Sequence, residues 1–123
     1  MQIRKRFGFE AAHLLPHHPG KCAALHGHSY RLEVALVGAL QSAGPAAGMV
    51  RDFDEVETIV GEHVTANLDH RSLNEILPNP TAELIALWIW DALAPHLPEL
   101  EEVVLWETQT ACAVVRRDDA RAR

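Results

Sequence analysis

Lys21-Cys22-Ala23-Ala24-Leu25-His26-Gly27-His28-Ser29-Tyr30 is the stretch whose reading decides the fold. It opens a strand on a pair of imidazoles. His26 and His28 are two apart, so in an extended chain their side chains leave on the same face. Gly27 between them adds no side chain, and two imidazoles on one face can hold one metal ion. Cys22 lies four residues upstream, where a loop entering the strand folds it back toward that ion. The plainer reading is a free cysteine beside two polar strand residues, and the rest of the chain has to decide.

Downstream, the strand continues over 27–40, with His28, Tyr30, Leu32, Val34 and Leu36 on one face and Arg31 and Glu33 on the other. Upstream, residues 2–12 alternate around Ile3, Phe7 and Phe9, with Arg4 and Arg6 opposite, which is a half-buried strand. The same parity ends on His13. Pro16, Pro19 and Gly20 make the connection a loop, which holds His17 and His18. Two strands joined in this way read as antiparallel neighbours, and pairing them brings His13 near His26.

Beyond a loop over 41–48, Asp52 followed by Glu55 marks a helix start. Phe53, Val56, Val60, Val64 and Leu68 recur at helical spacing, interrupted by Gly61, and the helix is expected to end near Asp69-His70. A second helix is expected from about Pro80 to Leu93, with a broad apolar set that includes Leu84, Ile85, Trp88 and Ile89. Residues 102–108 and 111–117 read as two further strands about a turn at Gln109-Thr110. The order strand, strand, helix, helix, strand, strand predicts an α+β fold: a four-stranded antiparallel sheet with two helices on one face, in one domain spanning 1–123. Long sheet edges favour oligomers.

Composition narrows the class. A 123-residue chain can build a core without disulfides, and 48% hydrophobic with 23% charged residues is ordinary for a globular protein. Two cysteines form no disulfide framework, which fits a reducing cytoplasm. No apolar run is long enough to cross a membrane. The net charge is −6, and the cationic residues gather in short runs near the termini, which argues against a nucleic-acid partner.

Five pieces stand in order along the chain: Phe9-Glu10-Ala11-Ala12-His13, Cys22-x-x-x-His26-Gly27-His28, Leu68-Asp69-His70, Asn79-Pro80-Thr81-Ala82-Glu83 and Trp106-Glu107-Thr108. Together they make the chain resemble the family of 6-pyruvoyltetrahydropterin and 6-carboxytetrahydropterin synthases. The three-residue gap between Cys22 and His26 is similar to that of the bacterial carboxy-forming enzymes of queuosine biosynthesis. The resemblance implies the tunnelling fold (T-fold), with subunits joined into a hexamer built as a dimer of trimers. It implies zinc held by His13, His26 and His28. Three imidazoles leave a tetrahedral zinc one open position, as catalysis requires, the rival being a closed structural site with Cys22 as fourth ligand. It further implies Cys22 as the catalytic thiolate and Asp69-His70 as an acid–base pair. Glu107 would be the anchor of the pterin ring, with Thr81 and Ala82 seating it. Relatives often carry Ser where this chain has Ala82. The implied reaction converts 7,8-dihydroneopterin triphosphate into 6-carboxytetrahydropterin, acetaldehyde and triphosphate, the alternatives being a pyruvoyl-forming or other dihydroneopterin-processing enzyme and a non-catalytic zinc or pterin-binding module. Lys21 and Arg71 are the available cations for the triphosphate. Cys112 reads as a small apolar strand residue, and the three tryptophans read as core.

Overall fold

The computed structural model describes residues 1–123. Strands β1 (Gln2–His13) and β2 (His26–Val37) pair antiparallel over their full length, from Gln2 opposite Val37 to His13 opposite His26. Strand β4 (Leu100–Trp106) joins the other side of β2, and β5 (Cys112–Arg116) closes the sheet beside β4. The sheet is therefore not the expected four-stranded antiparallel one. A two-residue strand β3 (Arg71–Ser72) runs parallel to β1 at its outer edge, giving the order β3-β1-β2-β4-β5. Two residues carry no readable alternation. This strand is set by tertiary contacts, because Asp69 and His70 hydrogen-bond to the main chain of Glu10 just before it.

The first helix forms where its apolar spacing places it, but not as one regular helix. It runs as α1 (Phe53–Val60), a π-helical turn over Gly61–Thr65, and a last turn α2 (Ala66–Leu68). Asp52 caps its start by accepting from the Asp54 amide. The turn widens at Gly61, where the Ala66 amide reaches the Gly61 carbonyl. Helix α3 (Ala82–Leu93) begins two residues later than expected, because the Thr81 hydroxyl accepts from the Leu84 amide and makes Thr81 the cap. A short helix α4 (Arg117–Arg121), which the alternating pattern of 111–117 hid, follows β5.

Both long helices cover one face of the sheet. Phe9, Tyr30, Leu32, Val34 and Leu36 from the sheet pack with Val56, Val60, Val64 and Leu68, and with Ile85, Ile89 and Leu93, in a single core. Trp90 belongs to this core, whereas Trp106 is exposed on the opposite face, against the reading of all three tryptophans as core. Cys112 is also exposed, as the first residue of β5. His63 and His96 stack ring on ring with centroids 3.8 Å apart. No helix is long and apolar enough to cross a membrane.

The sheet's other face carries a ladder of alternating charge. Arg4 bonds both Glu33 and Glu102, Arg6 bonds Glu33, and Arg116 bonds Glu102, at 2.8–3.0 Å. Burial pushes the Glu102 carboxyl up, but hydrogen bonds from Arg116 and Arg4 outweigh it and hold the group below the usual carboxylate range. Glu33 is lowered chiefly by the Arg6 hydrogen bond. A carboxylate with a depressed pKa stabilises the fold above its unfolded pKa, and that stability is lost as pH falls through the folded value. The denaturant midpoint should therefore drop as pH falls below about 4.5, and the deficit of Glu102→Gln relative to wild type should shrink over the same window. Denaturation followed at several pH values checks this; a deficit constant to the lowest pH would count against the ladder.

Candidate metal and pterin site

The strand pairing carries the site. Because His13 stands opposite His26, and His28 lies two residues further along β2, three imidazoles meet at the end of the β1–β2 ladder. Their ring centroids are 4.6, 5.1 and 4.9 Å apart. Each offers one ring nitrogen, and these nitrogens lie within 4.8 Å of one another.

Hydrogen bonds set which nitrogen is free. His13 Nδ1 stands 2.8 Å from the Pro80 carbonyl, and His26 Nδ1 stands 2.7 Å from the Ala24 carbonyl. A carbonyl oxygen only accepts, so Nδ1 carries the proton in both rings and Nε2 keeps its lone pair. The Nε2 atoms of His13 and His28 are buried without any hydrogen-bond partner. Buried polar atoms are rarely left so unless a ligand meets them. Burial lowers the His28 pKa, opposed by the Glu107 charge and helped by its neighbouring histidines, so the ring is neutral near pH 7. Three convergent imidazoles, two with Nδ1 turned to a carbonyl and two with Nε2 buried and unpartnered, fit a divalent metal ion with nitrogen preference.

Around this cluster is a cavity of about 480 Å³ lined by His13, Leu15, Lys21, Cys22, His26, His28, Glu107 and Thr108. Cys22 lies on a single 3-10 turn, Lys21–Ala23, that folds the loop back over the imidazoles as the sequence spacing suggested. Glu107, one residue past β4, is 3.8 Å from His13 Nε2 and 3.9 Å from His28 Nε2. It also lines a second cavity of about 440 Å³ with Leu15, Thr81, Ala82, Glu83, Ala111 and Cys112. The start of α3 stands there, where amides not used within the helix are found. The sequence reading missed Leu15, which lines both cavities and shares the strand parity of His13. It also missed Cys112, whose place in this cavity follows from its pairing with Trp106 across the β4–β5 turn.

Asp69 and His70 are not brought to this cluster within one chain. Asp69 accepts from the Glu10 amide at 2.9 Å, and His70 Nδ1 donates to it at 3.0 Å. These bonds, that from Glu10 foremost, hold the Asp69 carboxyl below its usual range. The His70 ring is largely exposed, and its backbone sits at φ 58°, a strained conformation for a residue with a side chain. His70 opens on a third cavity, of about 550 Å³, with Glu10, Ser29, Arg71 and Ser72; His28 is the residue it shares with the cavity around the three histidines.

A fold of this kind, with three histidines at a strand end and a carboxylate at the mouth of an adjoining cavity, defines a class of pterin-processing enzymes built on the tunnelling fold. The chain belongs to the 6-pyruvoyl tetrahydropterin synthase family, whose model matches residues 2–118. It is 44% identical over 115 residues to a 6-carboxy-5,6,7,8-tetrahydropterin synthase of Synechocystis, covering 90% of this chain and 89% of that one. It is 39% identical over 109 residues to a dihydroneopterin monophosphate aldolase of Pyrococcus furiosus, covering 86% and 89%. Among solved structures, the 6-pyruvoyl tetrahydropterin synthase of Caenorhabditis elegans superposes with a TM-score of 0.84 at 25% identity, over 94% of each chain.

The purified protein should bind one divalent metal ion per chain, and His13→Ala or His28→Ala should remove it. Metal analysis after dialysis checks this; full retention in both variants would dismiss the cluster as a metal centre.

Proposed function

We propose that the chain is a zinc-dependent 6-carboxytetrahydropterin synthase acting on 7,8-dihydroneopterin triphosphate in queuosine biosynthesis. What supports the reading is that Cys22, three imidazoles and Glu107 line a single cavity, and that Glu107 also faces the cavity at the start of α3. His13, His26 and His28 hold zinc through Nε2. Bound there, zinc acts as a Lewis acid that lowers the pKa of hydroxyl groups on the pterin side chain.

The chain's own groups do the rest. Glu107 accepts two hydrogen bonds from the 2-amino group and the adjacent ring N–H, fixing the ring's register beside Thr81 and Ala82. Cys22, which lines the cavity with the three imidazoles and Lys21, moves a proton at the side-chain carbon. His70 is the second acid–base group. Asp69 fixes its tautomer, leaving Nε2 to exchange a proton with substrate. Since His70 opens on a cavity of its own, the pair serves the metal cavity of a neighbouring copy, and the active oligomer, a dimer of trimers, is the catalytic unit. The reading carries a cytoplasmic setting.

Cys22→Ala should keep its zinc and lose about 10²–10⁴-fold in turnover, whereas a structural role for the thiol would cost metal and stability together. Mass analysis of products separates the outcomes. A 6-carboxy product with acetaldehyde supports the proposal, and a 6-pyruvoyl or side-chain-cleaved product assigns the chain to another branch of the family. In a second measurement, Cys22→Ala and His70→Ala are unfolded together and refolded as mixed oligomers. Activity should return to a fraction of wild type. Continued inactivity of the mixture, with both variants assembled, would refute shared sites.

A further inference from the structure

Glu107 stands nearer to the metal cluster than a ring anchor needs to be. Its Oε2 is 3.8 Å from His13 Nε2 and its Oε1 3.9 Å from His28 Nε2. Those separations are too long for hydrogen bonds, and both imidazole nitrogens are buried and otherwise unpartnered. These two histidines are the basic groups within ion-pair distance of the carboxylate; Lys21, which lines the same cavity, is not. Two donor nitrogens and a carboxylate at this spacing suit a cation between them better than they suit each other. In a tetrahedral zinc site, bonds of about 2.0–2.1 Å put neighbouring ligand atoms about 3.3 Å apart. A closing movement of about half an ångström would bring Glu107 to that distance. Three neutral imidazoles also leave both charges of the ion uncompensated, and a carboxylate is the natural counter-charge.

We propose that Glu107 closes the fourth position of the metal in the resting protein, and that substrate opens it by drawing the carboxylate onto the pterin ring. One side chain then couples ring recognition to metal availability. Without the ring's hydrogen-bond donors the corner stays shut, and a wandering hydroxyl or thiol, including that of Cys22, is kept off the ion. With them, the carboxylate moves and the side-chain hydroxyls take the corner it leaves. The inference rests on the metal reading above and adds a gate to it.

Cobalt(II) is the probe for the coordination sphere, with zinc affinity measured by chelator competition. Glu107→Gln, close to isosteric, should weaken zinc binding by about 10-fold or more and shift the cobalt absorption bands before any substrate is added. Adding 7,8-dihydroneopterin to the wild-type cobalt protein should shift its bands in the same direction. X-ray absorption of the wild-type zinc protein, which needs no variant to fold, should show a carboxylate beside three imidazoles. Equal zinc affinity and unchanged bands in Glu107→Gln, or a wild-type zinc sphere of three imidazoles and water, would overturn the gate and leave the proposed activity standing. A wild-type protein that takes up no metal, or a His13→Ala variant that takes up as much, would bring down both.

Discussion

The backbone ladder between β1 and β2 is the constraint on which everything else depends. Its twelve-residue register puts His13 opposite His26, and a strand's period of two then sends His28 to the same side. A slip by one residue would move every side chain of one strand to the other face. The core prevents it, because Phe9, Tyr30, Leu32 and Leu36 are nearly inaccessible to solvent on the face where the imidazoles stand. Burial of ordinary apolar residues thus fixes a cluster of three histidines that could hold a metal ion. The ladder of charge on the opposite face adds to the register, since Arg4, Glu33 and Glu102 meet their partners in one alignment only.

The three histidines are held by different means, and the difference has chemical meaning. Two are oriented by main-chain carbonyls, those of Pro80 and Ala24, which come from separate parts of the chain. The Pro80 carbonyl lies just ahead of the cap of α3, so the helix whose start lines one cavity also orients an imidazole of the neighbouring one. The two cavities are therefore built as one piece. His28 has no such tether, and burial holds its pKa below the usual imidazole value.

Much of this was legible in the chain because it rests on local periodicity. Alternation placed β1 and β2, apolar spacing placed the helices, and parity with antiparallel pairing set His13 beside His26. What stayed hidden depends on contacts between distant segments. The strand Arg71–Ser72 exists only because Asp69 and His70 reach Glu10, so no pattern in ten residues announces it. Trp106 reads as core along with Trp88 and Trp90 of the buried helix; its place on the exposed face follows from strand parity counted from Leu105, which was there to be read. The distance between Glu107 and the imidazoles has no sequence signal at all. It arises where the β4–β5 turn passes the end of the β1–β2 ladder.

The wide turn at Gly61–Thr65 explains how one helix serves two masters. Val56, Val60, Val64 and Leu68 recur every fourth residue, whereas a regular α-helix advances each such step by about 40° past a full circle. Unrelieved, the stripe would spiral off the sheet before reaching Leu68. A turn closed through an i to i+5 bond absorbs part of that drift, so Leu68 is still fully buried when the chain arrives at Asp69. The helix therefore acts as a spacer whose rotation is adjusted at one point: the wide turn keeps the apolar stripe on the sheet and sets where the chain leaves for Asp69 and His70.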